Sequence, residues 1–239
     1  MASSSASASK TPSIWHCTKV QTMKSSRNLL AAGALALAAF NPNAVHAVEP
    51  VTVLNETFTD FNSLNNWSVL NFSEPAGQSW FKGNPSNFAA QSGAGDSYAA
   101  SSFLSALNGV GAIDNWLVTP TLSLIGPSTL SFYARGENIA GFNDTMEVLF
   151  SSLDDPTNFT VLTTVGGVDT FPNAWQRFNA TIDHQGQGRF AFRHIGDAAA
   201  SNYIGIDTVL VTTVPEPSVY LMLLAGLGGF AWLRRRAAH

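Results

Sequence analysis

Between residues 48 and 213 apolar positions alternate with polar ones in short runs, and no stretch holds a strong helical period. Runs of this kind cover residues 51–59, 97–103, 115–119, 128–135, 145–152, 159–165, 175–182, 188–194 and 202–211, with Gly, Asn, Asp and Pro between them. In 128–135 Leu130, Phe132 and Ala134 share one face while Ser131 and Arg135 take the other. In 188–194 Phe190 and Phe192 alternate with Arg189 and Arg193. Nine short strands punctuated in this way predict an all-β, antiparallel sandwich. No fixed-period repeat occurs, which argues against a solenoid or a propeller.

The two ends follow other rules. Residues 1–22 are rich in Ser, Ala and Thr and carry no apolar period. From Met23 the pattern is that of a signal peptide, residues 23–47: Lys24 and Arg27 form a basic start, 29–40 is an apolar run, and Val45-His46-Ala47 supplies tolerated residues before a cut. It predicts translation from Met23, export, and a mature N-terminus at Val48. A start at Met1, with a disordered arm ahead of the signal, is the alternative.

At the other end, Val214, Pro215, Glu216 and Pro217 precede an apolar stretch, 218–233, and then Arg234, Arg235 and Arg236. As a helix that stretch is about 24 Å long, short of a hydrocarbon core of about 30 Å. Its apolar side chains favour insertion by about −2 to −4 kcal/mol before glycine and serine are subtracted. That suffices when the arginines snorkel to one interface. The positive-inside rule puts them in the cytoplasm and the domain outside. The prolines keep the preceding chain extended and open to a protease. This order of motif, apolar helix and arginine cluster over 214–239 resembles the PEP-CTERM sorting signal of Gram-negative bacteria. The resemblance implies cleavage by an exosortase after a transient stay in the inner membrane. Delivery to the cell surface or beyond follows, in cells that make exopolysaccharide. A plain single-span anchor is the alternative.

Charge narrows the partners of the central domain, 48–213. Lys82, Arg135, Arg177, Arg189 and Arg193 are its only cations, against fifteen acids, for a net charge of about −10. Nucleic acid is therefore not an expected partner. The only cysteine, Cys17, lies upstream of the cut, so the mature domain has neither disulfides nor thiolate metal sites.

Several segments together resemble the choice-of-anchor J family, which is related to cleaved-adhesin and MAM-like jelly rolls. They are Glu56-Thr57-Phe58 with Trp67, then Gly95-Asp96-Ser97-Tyr98-Ala99-Ala100. The most specific is Asp114-Asn115-Trp116-Leu117-Val118-Thr119-Pro120. Leu130-Ser131-Phe132-Tyr133-Ala134-Arg135 and Tyr203-Ile204-Gly205-Ile206-Asp207 complete the set. The family's closing acidic pair is here Asp207 followed by Thr208. The resemblance implies a jelly-roll sandwich. It also implies a structural calcium held by Glu56, Asp96 and Asp207, completed by carbonyls, Ser97 or water.

Of the remaining residues, Asp114 is expected to set a turn ahead of Trp116, whose ring is expected in the core. Asn115 and Pro120 belong to the same structural motif. Trp67, Trp80 and Trp175 would stack on sugars if exposed, but core packing is the commoner fate of tryptophan. His184 and His194 form no local metal motif, and no nucleophile or phosphate-loop pattern occurs. The reading is an exported, non-catalytic binding or adhesion sandwich with no catalytic residue, whose ligand is an exopolysaccharide, another glycan or a surface protein. A secreted polysaccharide-acting enzyme and a purely structural matrix subunit stay open beside it.

Overall fold

Alternation of apolar and polar side chains builds ten antiparallel strands. A computed structural model describes residues 49–152 and 158–215, together with Leu227 and Arg234. The strands are β1 (Val51–Glu56), β2 (Ser68–Asn71), β3 (Phe81–Lys82), β4 (Ala99–Ser102) and β5 (Ala112–Val118). They continue with β6 (Leu122–Gly136), β7 (Thr145–Ser152), β8 (Thr160–Gly166), β9 (Gln176–Asp197) and β10 (Tyr203–Thr213). Short 3-10 turns fill several connections, among them Phe103–Ser105, Leu107–Gly109 and Ala198–Ala200.

Pairing sorts the strands into two layers that share β9. In one, β10 lies between β6 and the successive edge strands β4 and β1, and β3 flanks β4. In the other, the second half of β9 lies between β5 and β7, with β2 and β8 outside them. The first half of β9 pairs with β6, from Ala134↔Gln176 to Leu122↔Gly188. This is the curled antiparallel sheet of a jelly-roll sandwich.

The sequence predicted two strands, 175–182 and 188–194, where the fold has one. Residues 183–187 read as a turn because they hold Asp, His, Gln and Gly. They instead stay paired with β6 while the chain turns from one layer into the other. Gly186 takes φ +125° there, a conformation open to glycine. Gly188 faces Phe150, whose ring lies 2.4 Å from where a Cβ would sit. The strands β2 and β3 were not predicted, because two to four residues are too few to show a period.

The inward faces are those the alternation assigns. Leu130, Phe132 and Ala134 meet Phe190, Phe192, Leu117, Met146 and Val148 between the layers, all fully buried. The Phe132 ring lies 5.0 Å from Phe192, edge to face, and 5.7 Å from Phe178.

The predicted signal peptide, Met23 start and sorting motif fall almost wholly outside the described residues. Val214 and Pro215 continue from β10, and Leu227 and Arg234 are helical and exposed. Among the described residues no helix is long and apolar enough to cross a membrane.

Candidate functional site

The two ends of the sandwich differ, and β10 fixes which is which. At its far end Thr213 pairs with Val51, and the Val214 amide bonds the Pro127 carbonyl, so the chain enters and leaves together. Ten residues away, about 33 Å at strand rise, Tyr203 accepts a bond from the Glu137 amide. Three loops meet at this second end. The Phe103 amide bonds Asn202, the Ala198 amide bonds Gly111, and the Asn143 amide bonds Ala200. Between residues 136–144 and 170–173 lies a cavity of about 250 Å³, lined by Glu137, Asn138, Ile139, Phe142, Asp144 and Asn173 among others. Ile139 and Phe142 remain more than two-fifths exposed there.

Beneath the cavity a buried polar chain runs into the core. Asp144 Oδ1 accepts the Asn202 amide at 2.9 Å and faces His194 Nε2 at 3.2 Å, so His194 donates from Nε2. Its Nδ1 then accepts the Ser101 hydroxyl at 2.9 Å. Asn115 Nδ2 spends its two hydrogens on Ser101 and Ser105, at 2.9 and 2.8 Å. Serine, histidine and aspartate thus stand in a triad-like order. Ser101 and His194 are nevertheless wholly buried, and Ser101 already accepts from Asn115. No substrate carbonyl reaches that hydroxyl, and the chain's work is to pin the loops that wall the cavity. Sequence spacing had set His194 aside as too distant from other ligands. Its partners lie 93 and 50 residues away, beyond any local motif.

The central motif spans both faces of β5. Asn115 and Leu117 point inward, and Trp80 Nε1 donates to the Asn115 carbonyl. Asp114 and Trp116 point outward. Asp114 sets no turn; it takes a two-pronged bond from Arg193 at 2.7 and 2.9 Å and accepts Trp116 Nε1. Arg193 also reaches Glu147 at 3.1 Å and lies over the Trp116 ring at 4.9 Å. These bonds hold its guanidinium protonated more firmly than usual, that to Asp114 most. Trp116 therefore packs, half-buried, on Phe159 and the small apolar cluster of Val118, Leu149 and Ala191 on the outer face of β5, and not in the core between the layers. Pro120 ends the motif, where the Thr119 hydroxyl receives the Phe190 amide between β5 and β6.

A family model described as Cleaved Adhesin Domain matches residues 51–211. The chain belongs to this family. The K3 cleaved adhesin domain of Lys-gingipain from Porphyromonas gingivalis is 26% identical, at a TM-score of 0.55 over 69% of this chain and 99% of that one. The K1 domain of the same protein, at 24% identity and TM-score 0.53 over 68% and 99%, shares the fold. A second family model, the PEP-CTERM protein-sorting motif, matches residues 213–237. No curated protein matches the sequence. The cleaved adhesin domain is thus an adhesion-type sandwich carrying an export and surface-sorting signal.

In this cleaved adhesin domain the three acids expected to hold calcium have other partners. Glu56 Oε1 accepts the Phe58 amide at 2.7 Å. Asp96 pairs with Lys82, whose hydrogen bond lowers its pKa. Asp207 is fully buried, with Oδ2 on the Gln91 and Ser92 amides and Oδ1 on the amide and hydroxyl of Thr208. Burial pushes its carboxyl above the ordinary range against the pull of those bonds. Among the described residues no three such side chains gather around one point. The pairing of β1 with β10 does set Glu56 opposite Val209, two residues from Asp207. Of the tryptophans, Trp80 is in the core. Trp67 is half-buried against Phe58, and Trp175 against Phe88 and Tyr98.

Proposed function

We propose that this protein is an exosortase-processed adhesin that binds a glycan of the exopolysaccharide or cell surface in the cavity walled by residues 136–144. One observation carries the reading: the cavity lies at the end of the sandwich opposite Val51 and Val214. A domain tethered in the inner membrane through residues 214–239 presents that end outward, and once released it keeps the site clear of its own chain ends. The lining supports a sugar, since Asn and Glu side chains match hydroxyls and the exposed Phe142 ring offers an apolar face. Glycan-array binding of the released protein tests this. Phe142→Ala with Asn138→Ala is expected to weaken the bound glycan at least about tenfold at unchanged melting temperature. Binding that ignores both substitutions, or an array without any hit, rejects the site.

Calcium enters the proposal through Glu56 and Asp207 alone, as an ion that would exchange amide bonds at Asp207 for its own coordination. At a hundredfold excess over Kd it would stabilise by about 2.7 kcal/mol, or about 5–10 °C in Tm. Asp207→Asn should erase that gain. Equal melting in calcium and in chelator would exclude the ion.

A further inference from the structure

In a domain with three acids for every cation, each arginine has carboxylates to spare. Lys82 takes Asp96, and Arg193 takes Asp114 and Glu147. Arg135 and Arg177 form no ion pair with any described residue. Both stand on the outer face of the layer containing β6, β10 and the first half of β9. Tyr133 pairs directly with Arg177, and Arg135 follows Tyr133 by two positions on the same face. Diagonal neighbours of this kind are about 7–8 Å apart. Two like charges so placed repel, and among the described residues no carboxylate pairs with either. Asp207 lies opposite Tyr133, but its oxygens are committed to amides and to Thr208. Glu137 Oε2 accepts from Asn202.

The donors of the two arginines are largely unspent. Arg177 gives one bond, to Ser131 Oγ at 3.2 Å, and its side chain is exposed. Arg135 is half-buried, 4.6 Å over the Phe88 ring, and its Nε is shielded from solvent without an acceptor, which leaves ligand contact to its Nη groups. Guanidinium forks fit planar carboxylates in a two-pronged geometry. The patch also continues the cavity. Arg135 precedes Gly136 on one rim, and Trp175 follows Asn173 on the other.

We infer that the Arg135–Arg177 face binds the carboxylates of a uronic-acid-type polysaccharide while a neighbouring sugar of the same chain occupies the cavity. This rests on the glycan reading above and names its ligand class. The domain's negative charge repels a polyanion at long range. At 0.15 M salt that field is screened beyond about 8 Å, so contact with the arginines decides.

The test is calorimetric titration of the released protein, at 0.15 M salt, with oligomers of galacturonic, glucuronic and mannuronic acid and their carboxyl-reduced counterparts. At least one acidic oligomer is expected to bind about tenfold or more tighter than its neutral twin. Arg135→Gln with Arg177→Gln should remove that preference and leave neutral binding intact. Arg177→Gln alone, at an exposed site, guards against a folding defect and should lose part of the preference. Equal affinity for acidic and neutral twins overturns the inference and leaves the glycan reading standing. So does a preference that survives the double substitution. If no oligomer binds, the inference fails, and an array hit sensitive to Phe142→Ala would still uphold the glycan site. A polyglutamate peptide binding as tightly as the uronates overturns the saccharide assignment.

Discussion

Replacing Pro215, Glu216 and Pro217 together by alanine is expected to abolish release, leaving uncut protein in the inner membrane. The apolar run 218–233 is untouched by these changes, so its drive to insert, about −2 to −4 kcal/mol, is unchanged. What is lost is the motif matched over residues 213–237 and the extended approach that two prolines enforce. The domain ends at Thr213, and Val214 is still bonded to Pro127. The motif therefore begins as the chain leaves the sandwich, with no spacer to flex. Neutralising Arg234, Arg235 and Arg236 should act differently. It removes the cytoplasmic stop, so part of the population should cross with its tail intact. Fractionation with mass spectrometry of the C-terminus separates the two outcomes. Wild-type protein that keeps Arg236 in the inner membrane of its native host would show a permanent anchor.

Phe132→Ala should be the most damaging single change within the sandwich, at about 3–5 kcal/mol. The ring is fully buried on β6 and touches Phe178 in its own layer and Phe192 in the other. Its removal opens a void where the layers meet, and strands hydrogen-bonded on both sides cannot collapse to fill it. Domains of this size are stable by about 5–15 kcal/mol, so the variant loses a large share. Phe72→Ala is the control. That ring is 59% exposed, and its loss should change stability by less than about 0.5 kcal/mol. Urea denaturation of both proteins decides the matter, and a cost below about 1 kcal/mol for Phe132 would mean the layers are not packed through it.

How much of this was legible in the chain depends on the reach of each signal. Period-two alternation is local, so residues 128–135 and 145–152 read as strands, and the buried face assigned to 128–135 is the one the fold uses. The sorting motif is also local: a short motif, an apolar run and three arginines in order. The joining of 175–182 to 188–194 was not legible, because Asp-His-Gln-Gly-Gln has turn composition. Only pairing with β6, some sixty residues earlier, keeps it in a strand. Trp116 was misplaced for a related reason. Alternation sets Asn115 and Trp116 on opposite faces, and size alone favours the tryptophan inside. The polar chain through Ser101, His194 and Asp144 claims Asn115 instead, and Arg193 with Asp114 gives Trp116 a place outside.

The sequence by itself determined fold class, acidity, the absence of cysteine from residues 48–213 and the sorting motif at the C-terminal end, since each follows from composition or from neighbours along the chain. Tertiary structure alone decided which acids are spent on amides and which arginines lack a carboxylate. It also decided which loops wall a cavity, and at which end. Several of these contacts join residues about 50 to more than 100 positions apart, as His194 with Asp144 and Asp207 with the Gln91 amide, and only the packed strands bring such partners within a few ångströms.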